Sequence, residues 1–207
     1  DAMRQLVKKA RAALRFNRVT GSVVLMEMTE RLTTFLAHRF GRVRPLTLPM
    51  SIVIRTTERC ILKCRMCGQN GEHGRLAGVK AGDRQRVDPA VYDNLCEDLA
   101  RWRKKPFVKF TGGEPLLEWG VLKPVIEKMV RAGCSIKFNT NGVLLKNPDF
   151  AAEVVKAGTH FLSISVHGDE ATHTDICRVP TAFRDIGRGI RQVREARDRL
   201  GRSYPMI

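Results

Sequence analysis

The sequence predicts an α/β protein in which parallel strands form part of a (β/α) barrel and helices cover its outer side. Three observations lead to this class. From residue 51 onward, short β-branched or apolar segments alternate with longer amphipathic segments four times in succession. The longer segments begin and end at helix-capping residues, and one side of three successive strands is polar. Because crossovers between parallel strands are right-handed, each unit adds a strand to one sheet and a helix to the same face.

Four strands are predicted from runs that are rich in β-branched and aromatic residues. They are Ser51–Thr56, Phe107–Thr111, Ser135–Asn139 and Phe161–His167. Tyr204–Ile207 has the composition of a fifth strand, of which the sequence contains only the first residues. A sheet that stopped there would leave the edge of the fourth strand bare, so we expect a truncated chain or the ordered part of a longer protein.

Capping residues mark the ends of the four helices that accompany these strands. The predicted helices run from Pro89 to about Arg103, from Trp119 to Ala132, from Pro148 to Gly158 and from Thr181 to Leu200. Asp88 and Asn147 each precede a proline, which is the usual order of an N-cap and a first helical residue. Gly133, Gly158 and Gly201 stand where a helix commonly ends in glycine.

Two further helices are predicted ahead of the alternating part. They divide the chain into residues 1–47, the amphipathic N-terminal helices, and residues 48–207, the core. Apolar residues recur at helical spacing from about residue 3 to 14 and from about residue 22 to 39. The first helix has a basic opposite face, which suits either a membrane surface or packing against a domain, and we favour packing.

Composition and charge narrow the class of protein. The 207 residues are 43% hydrophobic and 28% charged, which is ordinary for a folded chain and excludes disorder, collagen and coiled coil. No apolar run approaches a bilayer span and no secretory signal core is found, so we expect a cytoplasmic protein with no membrane span. The net charge of +16 is spread along the chain. Nucleic-acid binding is compatible with this charge but not favoured.

Polar side chains alternate with apolar ones in three successive strands. Lys109 and Lys137 stand on the polar side of the second and third strands, and His167 stands on that side of the fourth. Branched apolar residues would fill these positions in a closed barrel core. We therefore favour a polar cavity lined by this side of the sheet over a face that is simply open to water.

Three cysteines directly after the first strand are the strongest candidates for a metal centre. Cys60, Cys64 and Cys67 lie in the run CILKCRMC, and three thiolates on one tight loop suit a soft metal. A structural zinc site needs four ligands and would have to recruit a residue such as His73 or Cys96. Three cysteines can hold a 4Fe-4S cluster with one iron left open. From spacing alone we favour the cluster and keep zinc and packed thiols as alternatives.

The remaining cysteines have simpler interpretations. Cys96 lies in a helical run and Cys134 at a helix-to-strand turn, so both are predicted to be packed thiols. Cys177 follows the fourth strand, and the sequence leaves open whether it is packed or reactive.

The cysteine run and a second motif together resemble the radical S-adenosylmethionine (SAM) superfamily. TGGEP (Thr111–Pro115) follows the second strand, and NTNG (Asn139–Gly142) and SISVHG (Ser163–Gly168) end the third and fourth strands. The resemblance covers about residues 48–207 and implies four to five of the six strand–helix units of that family's partial barrel. A structural metal site needs no glycine–glutamate element one strand away, so TGGEP argues against a non-catalytic module.

The resemblance implies a set of cofactor contacts and a reaction. Cys60, Cys64 and Cys67 would bind three irons of a 4Fe-4S cluster, with SAM on the fourth. The implied SAM contacts are Gly112, Gly113, Glu114 and Pro115 at the amino end, and Thr140, Asn141, Ser163 and Ser165 at the ribose and carboxylate. Reductive cleavage would yield a 5′-deoxyadenosyl radical that abstracts hydrogen from a peptide or small-molecule substrate, with flavodoxin or ferredoxin as electron donor.

Two positions depart from the family pattern. Met66 stands where an aromatic residue often precedes the third cysteine. Many members have His-Asp-x-x-Arg after the fourth strand, whereas this chain has Cys177 where the arginine would fall, so Arg178 becomes the candidate partner of the SAM carboxylate. Two alternatives stay open: a cobalamin-dependent methyltransferase, and a non-catalytic iron–sulfur or zinc module that binds nucleic acid. We expect residues 1–207 to bind the cluster with little substrate turnover.

Overall fold

The computed structural model describes residues 28, 31–32, 35–36, 38–41 and 48–207. The chain divides into two units, Asp1–Met50 and Ser51–Ile207, each of which is described by itself. The predicted helix around residues 3–14 lies outside the described residues. The described residues between 28 and 39 have helical backbone, as predicted for the second helix, and Met28 and Phe35 expose most of their side chains.

Four parallel strands form one sheet in chain order, which confirms the α/β class and the partial barrel. They are β1 (Ser51–Arg55), β2 (Phe107–Thr111), β3 (Ser135–Thr140) and β4 (Phe161–Ile164). Lys109 of β2 is in register with Val53 and with Lys137, and Lys137 is in register with Phe161. These four side chains therefore form one row across the sheet.

Five helices accompany the strands in residues 48–207. They are α1 (Pro89–Arg101), α2 (Trp119–Arg131), α3 (Pro148–Lys156), α4 (Glu170–Cys177) and α5 (Ala182–Arg199). The predicted N-caps are confirmed: Asp88 accepts the Ala90 N–H, and Asn147 accepts the N–H groups of Asp149 and Phe150. None of the described helices is long and apolar enough to cross a bilayer.

The fourth strand is shorter than predicted, and a helix follows it in the chain. The strand ends at Ile164, not at His167. Asp169 caps α4 by accepting the Thr172 N–H, and the chain leaves this helix at Arg178 with a left-handed φ of 60°. The helix lacks a clear apolar stripe, so periodicity did not predict it. The predicted fifth strand forms only a bridge to β4, between Phe161 and Met206.

The main core lies between the sheet and its helices. Val108, Phe110, Ile136 and Phe138 are fully buried on the helix side of β2 and β3, and the rings of Phe110 and Phe138 stack at 5.1 Å. A smaller apolar cluster forms under the cysteine loop from Leu62, Val143, Cys177, Ala182 and Ile186, with Cys60 and Cys64 packed against it. The cysteine loop is thus anchored on a core of its own.

Candidate metal and cofactor site

The three motif cysteines lie on the loop that connects β1 to α1. All three thiols are free and half-buried. The loop is held in a tight turn, since the Cys67 N–H donates to the Cys64 carbonyl at 2.9 Å. Its middle is tied to α4, because the Arg65 N–H donates to the Ile176 carbonyl at 2.9 Å. The loop therefore presents three sulfurs from a fixed backbone.

Polar N–H groups surround the sulfurs. The Leu62 N–H lies 3.4 Å from Cys60 Sγ, the Asn70 N–H lies 3.3 Å from Cys67 Sγ, and Asn141 Nδ2 lies 3.9 Å from Cys60 Sγ. Burial raises the pKa of Cys60 to about 11 and that of Cys64 to about 12. The metal-free loop thus holds neutral thiols at Cys60 and Cys64, and a metal would bind there by displacing protons.

The TGGEP segment runs against the backbone that leads into Cys60. The Gly113 N–H donates to the Thr57 carbonyl and the Glu114 N–H to the Arg59 carbonyl, both at 2.7 Å. A Cβ on Gly113 would lie 2.0 Å from the Arg59 oxygen, and one on Gly112 would lie 2.5 Å from the Thr57 oxygen. Only glycine permits this approach. The two glycines therefore fix the start of the cysteine loop.

Glu114 is a fully buried carboxylate that joins the ends of β2 and β3. Its Oε1 accepts the Thr140 hydroxyl at 2.7 Å and the Leu116 N–H at 3.0 Å, and its Oε2 accepts the Asn141 N–H at 2.8 Å. Burial raises the pKa of Glu114, although these donors favour its charged form. Both oxygens are engaged within the protein, so Glu114 holds the NTNG turn in place. Its contact with a SAM amino group stays a prediction.

The other predicted SAM contacts lie along neighbouring strand ends. Thr140 is buried and accepts the Gly142 N–H, whereas Ser163 and Ser165 are exposed. The Ser165 N–H donates to the Thr140 carbonyl at 3.1 Å. Asn139 is in register with Ser163, and its Oδ1 is buried without a hydrogen-bond partner within the described part of the chain. The strand ends thus contain one acceptor that a ligand donor could satisfy.

Pro115, Arg178 and Met66 occupy different surroundings. Pro115 is buried at the start of a 3₁₀ turn, Pro115–Glu118. Arg178 is half-exposed and pairs with Glu72 at 3.4 Å. Met66 is 60% exposed beside the cysteines. A contact between Arg178 and a SAM carboxylate stays a prediction, and it would compete with the ion pair to Glu72.

Cys177, which the sequence left open as packed or reactive, is the last residue of α4 and lies next to one of the three motif cysteines. It is fully buried, with its Sγ 3.6 Å from Cys64 Sγ and 3.3 Å from His173 Nε2. The i, i+4 spacing of His173 and Cys177 would have shown that they share a helix face, had α4 been recognised. Cys96 and Cys134 pack on the main core, as predicted for structural thiols.

A cavity of about 390 Å³ lies elsewhere, at the N-terminal ends of α1 and α2. Its walls include Tyr92, Asp88 and Glu118, and none of the predicted site residues. Glu118 pairs there with Arg59 at 3.8 Å and with Arg86 at 3.6 Å. The polar cavity predicted beside Lys109 and Lys137 is therefore not this one. Both lysines are half-buried, and their place in a cavity wall stays a prediction.

Comparison with known families shows to which protein family the chain belongs. The family model of the Radical SAM superfamily matches residues 54–204. The chain belongs to this superfamily. The match includes the three cysteines, TGGEP, NTNG and the end of β4, so the resemblance seen in the motifs is confirmed.

Curated relatives within the radical SAM superfamily are similar over the same region. The chain is 29% identical over 146 residues to the AdoMet-dependent heme synthase of Nitratidesulfovibrio vulgaris, covering 70% of this chain and 37% of that protein. It is 30% identical over 141 residues to a probable GTP 3′,8-cyclase of Methanopyrus kandleri, covering 68% of this chain and 42% of that one. The chain thus spans about two fifths of the length of these relatives.

Solved structures show the same fold. Native anSMEcpe with bound AdoMet superposes with a TM-score of 0.58 at 20% identity, covering 72% of this chain and 42% of that one. Methylornithine synthase superposes with a TM-score of 0.53 at 14% identity, also covering 72% and 42%. At these identities the likeness extends to the partial barrel and not to a particular substrate.

The residues present fit the two cofactors of the radical SAM superfamily. Three free thiols on one fixed loop are the ligand set of a cluster with an open iron. The missing Cβ atoms of Gly112 and Gly113 keep the neighbouring backbone close to the loop. The orphan Asn139 Oδ1 offers an acceptor at the strand ends, where a polar ligand would bind. A purely structural hydrophobic core would need none of these features.

Proposed function

We propose that the chain is the cofactor-binding part of a radical SAM enzyme that abstracts hydrogen from a peptide or a small molecule. The observation that carries the proposal is the link between the two motifs. Glu114 holds Asn141, and Asn141 Nδ2 reaches Cys60 Sγ at 3.9 Å. A polar network that joins three strand ends to the cysteine loop suits a site where a cluster and a second ligand meet.

Each part of the chain has a proposed task. Cys60, Cys64 and Cys67 would hold a 4Fe-4S cluster, which when bound supplies the electron for reductive cleavage of SAM to a 5′-deoxyadenosyl radical. Gly112–Pro115 would shape the amino end of the SAM site and Thr140, Asn141, Ser163, Ser165 and Arg178 its ribose and carboxylate end. The protein's own work is to orient these groups and to exclude water. We assign this core to residues 48–207 and the N-terminal helices to residues 1–47.

The substrate of the proposed enzyme would carry an anionic group. Lys109 and Lys137 lie side by side on the cleft side of β2 and β3, about 4.8 Å apart across the strands. Neither forms an ion pair with an acidic residue in the described part of the chain. Like charges directly opposite each other destabilise a sheet, and an anion between them removes that cost. A phosphoryl or carboxylate group matches this pair.

The proposed reaction also implies an electron donor and a cellular location. Reduction of the cluster needs a low-potential electron donor such as flavodoxin or ferredoxin, and a cytoplasmic location keeps the thiols reduced. Both are part of the proposal.

Anaerobic reconstitution with iron and sulfide tests the proposal. We expect about four irons per chain, with broad visible absorption, in the wild type. Alanine at Cys60, Cys64 or Cys67 should abolish retention of iron, whereas Cys96→Ala should not, because Cys96 packs on the main core. Adding SAM should change the magnetic resonance spectrum of the reduced cluster. Stoichiometric zinc with no uptake of iron by the folded chain would contradict the proposal.

A further inference from the structure

Two buried side chains of α4 form a chain of contacts that ends at Cys64, in which His173 contacts Cys177 and Cys177 contacts Cys64. Cys177 is the last residue of α4, and its Sγ lies 3.6 Å from Cys64 Sγ. His173 lies one turn earlier, and its Nε2 is 3.3 Å from Cys177 Sγ. Both are 0% exposed. The hydrogen bond from Arg65 to Ile176 at 2.9 Å fixes this end of α4 against the loop.

The hydrogen-bond network assigns the protons of this pair. The His167 N–H donates to His173 Nδ1 at 3.1 Å, so Nδ1 is an acceptor and the neutral ring carries its proton on Nε2. That N–H points at Cys177 Sγ, which accepts it. While Cys64 carries its proton, its S–H donates to Cys177 Sγ at 3.6 Å.

We propose that Cys177 donates an S–H hydrogen bond to the sulfur of Cys64 when Cys64 binds iron, and that His173 is the positioning residue that holds Cys177 in this orientation. An iron-bound Cys64 is a thiolate without a proton, so in this pair only Cys177 can donate. The inference rests on the proposed function, because it requires a cluster on Cys64.

The consequence is electronic. Hydrogen bonds to the sulfurs of an iron–sulfur cluster are among the factors that set its reduction potential. A donor stabilises the reduced cluster more than the oxidised one, because the reduced cluster carries more negative charge on its sulfurs. Cys177 therefore makes the cluster easier to reduce by one electron. At Cys64, a buried thiol would thus supply the hydrogen bond to sulfur that a backbone N–H supplies at Cys60 and at Cys67.

One other arrangement uses the same atoms. Ligand atoms of Cys64, His167 and Cys177 all lie within 4.8 Å of one another, close enough to hold a metal ion such as zinc. That arrangement would take Cys64 away from the cluster. The donor arrangement keeps all three motif cysteines on iron, and it accounts for the His173 contact, which a zinc site at these three residues does not use.

The test compares variants of Cys177 after anaerobic reconstitution of the full chain. Iron content is measured first, and the midpoint potential is then measured by a redox titration followed by electron paramagnetic resonance. We expect unchanged iron content in all variants. The midpoint should move to a more negative potential in Cys177→Ala, and Cys177→Ser, which keeps a donor, should recover most of that shift. Cys134→Ala is the control, a buried thiol on the main core.

His173 is tested in the same titration. His173→Ala leaves the Cys177 thiol in place but removes the N–H that orients it, so the midpoint should shift in the same direction by a smaller amount. Thermal unfolding followed by circular dichroism checks that each variant folds. If alanine at position 177 leaves a cavity that unfolds the chain, Cys177→Val fills the volume without a donor and gives the same test.

Four results would overturn the inference. An unchanged midpoint in a folded, iron-loaded Cys177→Ala or Cys177→Val variant would show that no hydrogen bond reaches the cluster. Loss of iron in these variants would make Cys177 a ligand. Stoichiometric zinc that depends on Cys177 would establish the metal arrangement with His167. Failure of the wild type to take up iron would overturn the proposed function as well, and iron content alone distinguishes that case from the others.

Discussion

The two sides of the four-stranded sheet differ in composition although they share the same backbone. On the helix side, Phe110 and Phe138 are 0% exposed and stacked on each other. On the opposite side, Lys109, Lys137 and Asn139 are half-buried, and an oxygen of Asn139 has no partner among the described residues. One side consists of closely packed apolar residues, and the other keeps polar groups that have no partner among the described residues. Unsatisfied groups of this kind indicate a ligand.

The largest effect is expected from truncating adjacent residues of β3 that point to opposite sides of the sheet. Phe138→Ala should lower the free energy of unfolding by about 3–5 kcal/mol, because it leaves a cavity in the core. Asn139→Ala should change it by less than about 1 kcal/mol, since it removes an acceptor that has no partner in the described part of the chain. Urea unfolding measures both. Equal losses would show that the two sides do the same work.

Glu114 is the next largest test, because it is a carboxyl group buried at the border between the two sides. Glu114→Gln must turn an amide N–H₂ toward one of the three donors that the carboxylate accepts, so we expect a loss of about 1–3 kcal/mol. SAM affinity measured by calorimetry on the cluster-loaded chain should fall with it. Glu97→Gln is the matched control, an exposed glutamate on α1. A variant as stable as the control would contradict the linking role of Glu114.

The lysine row should respond in the opposite direction. Lys109→Gln removes repulsion with Lys137, so the free energy of unfolding should rise by about 0.2–1 kcal/mol. Sodium pyrophosphate should stabilise the wild type more than it stabilises this variant. If the ligand is phosphoryl, pyrophosphate should also stabilise the wild type more than sodium chloride or sodium citrate of equal ionic strength does. A larger effect of citrate would favour a carboxylate. Lys104→Gln, in an exposed loop, is the control. If neither anion changes the free energy of unfolding of the wild type, there is no anion site at the two lysines.

The smallest effect concerns pH and the cap of α4. The Thr172 N–H lowers the pKa of the Asp169 carboxyl below its ordinary value of 3.8. A lowered pKa contributes stability above the unfolded value, and that contribution is lost as pH falls through the folded value. Asp169→Asn keeps an acceptor oxygen without the charge, so its stability should depend less on pH in this acidic range. Parallel curves for the two chains in urea unfolding would rule out a role for the charge.

The strands, most helices and the cysteine loop could be predicted because each depends on local sequence. Prolines after Asp88 and Asn147 and the alternation in β2 and β3 act over a few residues, and the structure confirms them. The short helix α4 could not be predicted, since its cap at Asp169 is visible in the sequence but its apolar stripe is not. The predicted fourth strand was too long, because the helix that follows it was not recognised. The strand ends at Ile164 and not at His167.

The sequence alone identified the family and predicted three sulfur ligands, because Cys60, Cys64, Cys67 and TGGEP are contiguous motifs whose spacing is their signal. Only the tertiary structure decided what surrounds them. Glu114 lies 26 positions from Thr140, and Cys64 lies 113 positions from Cys177, yet each pair is in contact. Such contacts depend on how the parallel strands and α4 bring distant strand ends together. No spacing along the chain specifies that geometry, so the contact of Cys177 with Cys64 became visible only in the folded molecule.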